Sequence, residues 1–267
     1  MDDRDMKICA IARNEGLYIR EWVLFHQIVG VEHITVYNNN SNDNMLDVLQ
    51  PFVESGFVDV IDWPFPNPSQ LAAYSDYIAK HRGPFWCAFL DCDEFLWSPQ
   101  YDTIQEALDS RPSPRSAYGV NWMVFGSGGQ TEYDDKPVIE RFTWRPATSH
   151  PVDDHVKSVI WMDQNVSVID PHHFNVEHGT VNENGQAIGG PFSHHCSNIL
   201  RINHYSSKSL AEWRKRILLG KPDRGGVEVR EDEWYWDRQQ QDVDDREIQK
   251  FLPELKRRLG CQESVSS

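Results

Sequence analysis

Phe85-Trp86-Cys87-Ala88-Phe89-Leu90-Asp91-Cys92-Asp93-Glu94-Phe95 joins an apolar run to a cluster of acids. Six apolar residues run into three carboxylates within four positions, and Gly83-Pro84 stands in front. A short, aromatic-rich run of this kind reads as a strand buried on both faces. The acids then fall at its carboxyl end, where open α/β sheets form their ligand crevices. Asp91 and Asp93 are two residues apart, so an extended backbone continued through them would point both to one side. Two hard oxygen donors on one side, open to water, suit Mg²⁺ or Mn²⁺ that also binds a substrate's phosphates. The alternative is a strand that ends in a solvated acidic turn, because Asp-x-Asp alone is a short motif.

Ahead of this stretch the chain repeats strand and helix. Met6 to Ala12 reads as a first buried strand, broken by Arg13-Asn14-Glu15-Gly16. Leu17 to Val29 carries Leu17, Trp22, Phe25 and Val29 at helical spacing, and Gly30 closes it. Glu32 to Tyr37 reads as a second strand, ending in the polar turn Asn38 to Asn44, with a helix over Met45 to Val53. Phe57 to Trp63 is the third strand, and a proline-rich elbow leads to a helix over Ser69 to Lys80. Loops this short suit parallel crossovers, so three strands deliver polar loops to one sheet edge. The pattern is that of a mononucleotide-binding half-fold. No Gly-x-Gly-x-x-Gly follows the first strand and no Walker-type loop occurs, which argues against a dinucleotide redox enzyme and a P-loop kinase.

Beyond Asp102 the pattern changes. A brief helix over Thr103 to Ser110 precedes a strand from Ala117 to Phe125 that runs into Gly126-Ser127-Gly128-Gly129. Val156 to Met162 and Val166 to Ile169 read as a hairpin, and Asn198 to Ile202 as one more strand. A helix over Ser207 to Leu219, capped by Ser209 or Ser207, and another from Asp242 to Leu259 complete the chain. Residues 261–267 read as a disordered tail. With no repeat and no low-complexity linker, residues 1–267 read as one domain with two halves, about 6–100 and 101–255.

The 267 residues allow a substantial core. Lys and Arg number 26 against 41 Asp and Glu, a net charge of −15, which disfavours nucleic acid and anionic membranes as partners. The five cysteines are scattered, odd in number and without Cys-x-x-Cys spacing, so reduced thiols are expected. Met1-Asp2-Asp3-Arg4-Asp5 opens without a signal-peptide apolar segment, and no run approaches the ~20 apolar residues of a membrane span. The expectation is a cytoplasmic protein with no stable membrane insertion.

The ordered set of motifs resembles a known group of enzymes. Arg13-Asn14-Glu15, Glu21-Trp22 with His26, Asn39 to Asp43 and Asp91-Cys92-Asp93-Glu94-Phe95 carry the likeness in the first half. In the second, Asn121-Trp122, Phe125 to Gly129, Lys157-Ser158, His172-His173-Phe174, Asn203-His204-Tyr205 and Lys208-Ser209 continue it. Together they resemble the GT-A-fold glycosyltransferases of family 92 and the family 2-like group, over residues 6 to 255. The resemblance implies an α/β GT-A fold with a mostly parallel sheet, and transfer of a sugar from a nucleoside-diphosphate sugar, a UDP-sugar above all. The acceptor would be a hydroxyl of a glycan or lipid-linked glycan.

On that resemblance Mn²⁺ or Mg²⁺ is held by Asp93, with Asp91 at the metal, on its bound water or on the ribose, and His204 as the third contact, and it neutralises the leaving diphosphate. Asp91 and Asp93 are then the central catalytic residues. Arg13, Asn14, Glu15, Asn39, Asp43, Gln70, Asp91 and Lys208 are the expected donor contacts, with Tyr74 beside them. Trp122, Phe125, Gly128 and His173 are expected on the acceptor side, as an aromatic platform and a closing loop. An inverting reaction needs a carboxylate base. Asp153, Asp154, Glu177 and the acids of Arg230-Glu231-Asp232-Glu233 are candidates among which spacing does not choose, and Asp154 stands for them.

Other classes fit less well. His172, His173, His178, His194, His195 and Cys196 are zinc-type ligands, but none has a paired zinc spacing. A phosphoryl-transfer enzyme of the haloacid-dehalogenase type needs an aspartate after the first strand, where Arg13-Asn14-Glu15 stands. A carbohydrate-binding protein without activity would be expected to have lost Asp91, Asp93 or His204, and all three are kept.

Overall fold

The computed structural model describes residues 5–65, 69–111, 117–147, 151–219 and 241–261. The acids at 230–233 and the tail at 262–267 lie outside the described residues.

Strand β1 (Met6–Ala12) is flanked by β2 (His33–Asn38) and β4 (Trp86–Phe89), and β3 (Val58–Asp62) pairs with β2, all parallel. The near-continuous apolar sequences of β1 and β4 are what a strand covered on both faces requires, while β3, at the sheet edge, keeps Asp59 and Asp62 exposed. Helices α1 (Ile19–Ile28), α2 (Met45–Glu54) and α3 (Ser69–Lys80) make the crossovers. Trp22, Val23 and Phe25 of α1 are fully buried against this sheet. A short α4 (Ile104–Asp109) begins at a capping box, in which Thr103 and Glu106 satisfy each other's backbone N–H groups.

The second half continues the same sheet. β6 (Ala117–Val124) is parallel to β4, with β8 (Val156–Trp161) antiparallel between them. Two short strands, β11 (Thr180–Val181) and β12 (Ala187–Ile188), extend the far edge, giving the order β12-β11-β6-β8-β4-β1-β2-β3. The carboxyl-terminal part of β6 leaves this path to pair with β13 (Arg201–His204), which in turn pairs with β5 (Glu94–Trp97). This mixed, mostly parallel α/β architecture is the one expected from the sequence. The ends of β1, β2, β4, β6 and β13 share one edge, and β8, running the other way, brings its start there too.

Several expectations need correction. Val166 to Ile169 makes no hairpin with β8: β9 (Val166–Val168) pairs with β10 (Phe174–Val176), and β8 is inserted between β4 and β6. The strand expected over Asn198 to Ile202 forms later, as Arg201–His204. The segment from Asp242 to Leu259 is not one helix. Val243–Asp244 is a strand, β14, against β7 (Trp144–Arg145), followed by a 3₁₀ turn at Glu247–Phe251 and the final helix, α7 (Leu252–Leu259). α5 (Val138–Arg141) and α6 (Leu210–Leu219) complete the elements, and Ser209 caps α6 by accepting the Glu212 N–H at 3.3 Å. None of the five cysteines is in a disulfide, and among the described residues no helix is long and apolar enough to cross a membrane.

Candidate active site

The acidic residues do not continue β4. After Phe89 the chain turns, with the Glu94 N–H donating to the Asp91 carbonyl at 3.1 Å, and Glu94 opens β5. Asp91 and Asp93 therefore meet different partners instead of projecting together.

Asp91 is held from two directions. Lys157 Nζ, on β8, donates to Oδ2 at 3.0 Å, and Gln70 Nε2, on α3, donates to Oδ1 at 2.8 Å. Lys157 is fully buried and also lies 3.6 Å from Glu94 Oε2, which accepts the Asp91 N–H at 2.9 Å. Burial works to raise the Asp91 carboxyl, but the Lys157 ammonium overrides it and holds the group below the usual range. Glu94 has no solvent to help it, and burial pushes it well above the ordinary carboxylate value despite Lys157. Lys157 itself is raised, since Asp91 and Glu94 outweigh its burial.

Asp93 faces the carboxyl-terminal half. Arg216 Nη1, on α6, donates to Oδ2 at 2.5 Å, and His204 Nε2 lies 3.5 Å from Oδ1. Burial opposes ionisation here too, yet Arg216 and then His204 hold the carboxyl well below its usual value. The Tyr205 N–H donates to the Asp93 carbonyl at 2.9 Å, which fixes the turn against β13. Trp122, on β6, packs its ring against His204 at 4.2 Å, His155 at 5.0 Å and His172 at 5.1 Å. Its indole N–H is buried with no hydrogen-bond partner among the described residues.

The nucleotide-side loops are built tightly. Asn14 adopts a left-handed φ of 59°, with its N–H donating to Ser41 Oγ and its Oδ1 accepting the Asn42 N–H. Asp43 accepts the N–H groups of Gly16 and Met45. A Cβ on Gly16 would sit 2.3 Å from Asn44 Oδ1, so the approach of the two loops requires glycine. Asn39 Nδ2 donates to the carbonyls of Trp63 and Phe65, and Arg13 is exposed. Burial raises Glu15, against the opposing pull of Lys208. Lys208, also at positive φ, is buried with its ammonium 4.4 Å from the centre of the Tyr18 ring.

Other expected site residues lie differently. Asp91 does not join Asp93 and His204: among the described residues no three His, Cys, Asp or Glu side chains converge in a way that could hold a metal ion. The turn that sends Asp91 to Lys157 is the cause. Phe125 is fully buried against Tyr205, so its ring is core and not a platform. His172, not His173, reaches Trp122; burial and then the charge of Lys157 push it down to about 4. Gly128 lies in its loop at φ 59° over Trp144. Of the base candidates, Asp153 is fully buried and accepts the Val124 N–H, Glu177 is exposed and binds Asn165, and Asp154 is half-buried with its carbonyl on Ser193.

Arg216 was missed by sequence reasoning, because Glu212 four residues before it suggests an ordinary helix-surface pair. Lys157 carried a usable signal, a lysine inside an otherwise apolar strand.

The model of the family described as Glycosyltransferase family 92 matches residues 8–225, most of the chain and all the residues just placed around the acidic turn. The chain belongs to glycosyltransferase family 92. It is 28% identical to a family 92 protein of Oryza sativa subsp. japonica over 86% of its length, and 27% identical to one of Ricinus communis over 75%. The family 92 match is partial on the other side, since the chain spans 41% and 35% of those two relatives. Among solved structures it is similar to S. aureus TarS 1–349, at 9% identity and a TM-score of 0.42, over 98% of this chain and 73% of that one.

Proposed function

We propose that this family 92 chain transfers a sugar from a nucleoside-diphosphate sugar to a hydroxyl of a glycan or lipid-linked glycan, with UDP as the carrier expected from the resemblance. The observation that supports it most is Asp93, a buried carboxylate kept ionised at the sheet edge opposite an imidazole. Its Oδ1 is buried without a full hydrogen bond, and His204 Nε2 stands 3.5 Å away. One carboxylate oxygen and one imidazole nitrogen fit Mn²⁺ or Mg²⁺, which commonly take their remaining positions from phosphate and water. When bound, such a cation supplies charge neutralisation to the leaving diphosphate.

The chain's own residues do the rest. Lys157 and Gln70 fix Asp91, leaving its partly exposed carboxylate as an acceptor for a ribose or sugar hydroxyl. Lys208, constrained by its backbone and buried against Tyr18, supplies a fixed positive charge to the phosphates. The unpartnered indole N–H of Trp122 is a donor for a hydroxyl of the transferred sugar or the acceptor.

The test is calorimetric titration of UDP-, GDP-, CMP- and dTDP-sugars, with and without Mn²⁺, on the wild type and Asp93→Ala. Binding is expected to require both the metal and Asp93, with a loss of at least about a hundredfold in the variant. Retained Mn²⁺-dependent binding in Asp93→Ala rejects the assignment of Asp93. No binding of any nucleotide sugar by the folded protein returns the chain to a phosphoryl-transfer or carbohydrate-binding reading.

A further inference from the structure

Arg216 has a geometry that the donor site just proposed does not use. It lies on α6, and its Nη1 reaches both Asp93 Oδ2 at 2.5 Å and the Ser206 carbonyl at 2.8 Å. The helix that carries it is anchored independently of Asp93. Glu212, one turn earlier, accepts Arg141 Nη2 at 2.7 Å and Nη1 at 3.2 Å, together with the hydroxyls of Ser209 and Tyr18. The Arg141–Glu212 pair is almost wholly buried. Glu212 is thereby committed to Arg141, and Arg216 is free of its helical neighbour and turned to the acidic turn.

The two ends of the contact differ in access. The Asp93 side chain is 6% exposed and that of Arg216 is 50% exposed. Arg216 is therefore the accessible partner of the pair and Asp93 the enclosed one. A planar guanidinium binds phosphate oxygens bidentately, so the same group has a second partner as soon as a diphosphate is present. A divalent cation on Asp93 would then cancel the carboxylate's attraction for Arg216 and repel it.

We propose that Arg216 is a diphosphate-binding residue that occupies the Asp93 carboxylate in place of the divalent cation until nucleotide and metal arrive together, and then moves to the phosphates. The inference rests on the donor-site reading above. It makes metal and nucleotide binding mutually dependent: metal alone must displace Arg216, whereas metal with nucleotide offers Arg216 a new partner.

The experiment measures Mn²⁺ binding by the fall in its free electron paramagnetic resonance signal, with and without UDP, on the wild type, Arg216→Gln, Lys208→Gln and Asp93→Ala. Arg216→Gln is expected to bind Mn²⁺ alone about fivefold more tightly than the wild type, the scale of one half-exposed ion pair. Its affinity for UDP in the presence of Mn²⁺ is expected to fall about tenfold. Lys208→Gln removes the same unit charge from the neighbourhood without releasing Asp93, and is expected to gain less than about twofold for Mn²⁺ alone. Equal gains in the two variants would reduce the effect to the general field and overturn the exchange. So would unchanged Mn²⁺ affinity or unchanged UDP affinity in Arg216→Gln. UDP binding by the wild type in EDTA that Arg216→Gln loses would make Arg216 a permanent substitute for the metal, again overturning it. The Asp93→Ala arm keeps the readings apart, because Mn²⁺ uptake with UDP that survives in it rejects the donor site itself.

Discussion

The two flanks of the acidic turn solve the same electrostatic problem in opposite ways. On the Asp91 flank the counter-cation, Lys157, is wholly buried and ties together Asp91, Glu94 and, through them, Gln70. On the Asp93 flank the counter-cation, Arg216, has half its side chain in solvent, and the other partner is an imidazole at 3.5 Å. Carboxylates two residues apart are thus held by cations of opposite accessibility. The difference lies in the cations: a buried ammonium that loses its partners cannot rehydrate, whereas a half-exposed guanidinium can exchange its partner for water or phosphate.

Lys157→Met leaves Asp91 and Glu94 together without their cation, and a loss of about 3–5 kcal/mol is expected. Arg216→Gln is expected to cost about 1–2 kcal/mol, since the glutamine amide can still donate to the buried Asp93 carboxylate and His204 stays beside it. Urea denaturation of both variants at neutral pH measures the difference, and similar losses would show the flanks to be equivalent.

Below both flanks lies a shared floor, and its effect is smaller. Trp22 Nε1 donates to the Glu94 carbonyl at 2.7 Å, and His26 bridges the Trp22 carbonyl and the Leu96 N–H. The Leu96 N–H needs an acceptor, so the ring is neutral with its proton on Nδ1. Burial lowers His26 to about 3, although the Trp22 carbonyl works the other way. An unfolded histidine takes its proton near 6.5, so below that pH the unfolded state binds the proton first and stability falls as pH falls toward 3. From pH 6.5 to 5 the expected loss is about 2 kcal/mol. In His26→Gln the difference between unfolding free energies at pH 7 and pH 5 should shrink by that amount, and an unchanged difference would remove His26 from the acid response.

How much of this was legible follows from where each signal resides. β1 and α3 fall where the periodicity predicts them, because apolar runs and helical spacing are local properties. The acidic turn was legible as chemistry but not as geometry: Asp-x-Asp gives the residue types, while the turn after Phe89 decides that they part. The failed hairpin has a similar origin. Val166–Val168 could pair with either neighbour, and insertion of β8 between β4 and β6 is a choice made by the whole sheet. Glu21, Trp22 and His26 were visible as a motif, but their work is structural. Glu21 accepts the N–H groups of Val138 and Ile139, and the other two support β5. Arg216 gave no usable signal, since its pairing depends on Arg141 having taken Glu212.

Gln70 is the side chain through which α3, an element of the first half, holds Asp91, and no such hydrogen bond from α3 to Asp93 is formed among the described residues. Its amide donates to Asp91 Oδ1 at 2.8 Å and to the Tyr74 hydroxyl at 3.0 Å, and the residue is 8% exposed. Gln70→Ala leaves Lys157 on Oδ2, so the charge of Asp91 stays compensated and only its orientation is released. A stability loss of about 1 kcal/mol is expected, the net worth of one hydrogen bond. If Asp91 serves the donor, KM for the nucleotide sugar should rise by a few fold, on the order of the same 1 kcal/mol, with Mn²⁺ affinity unchanged. A change in Mn²⁺ affinity instead would mean that the flanks communicate through the turn and that Asp91 belongs with Asp93 after all.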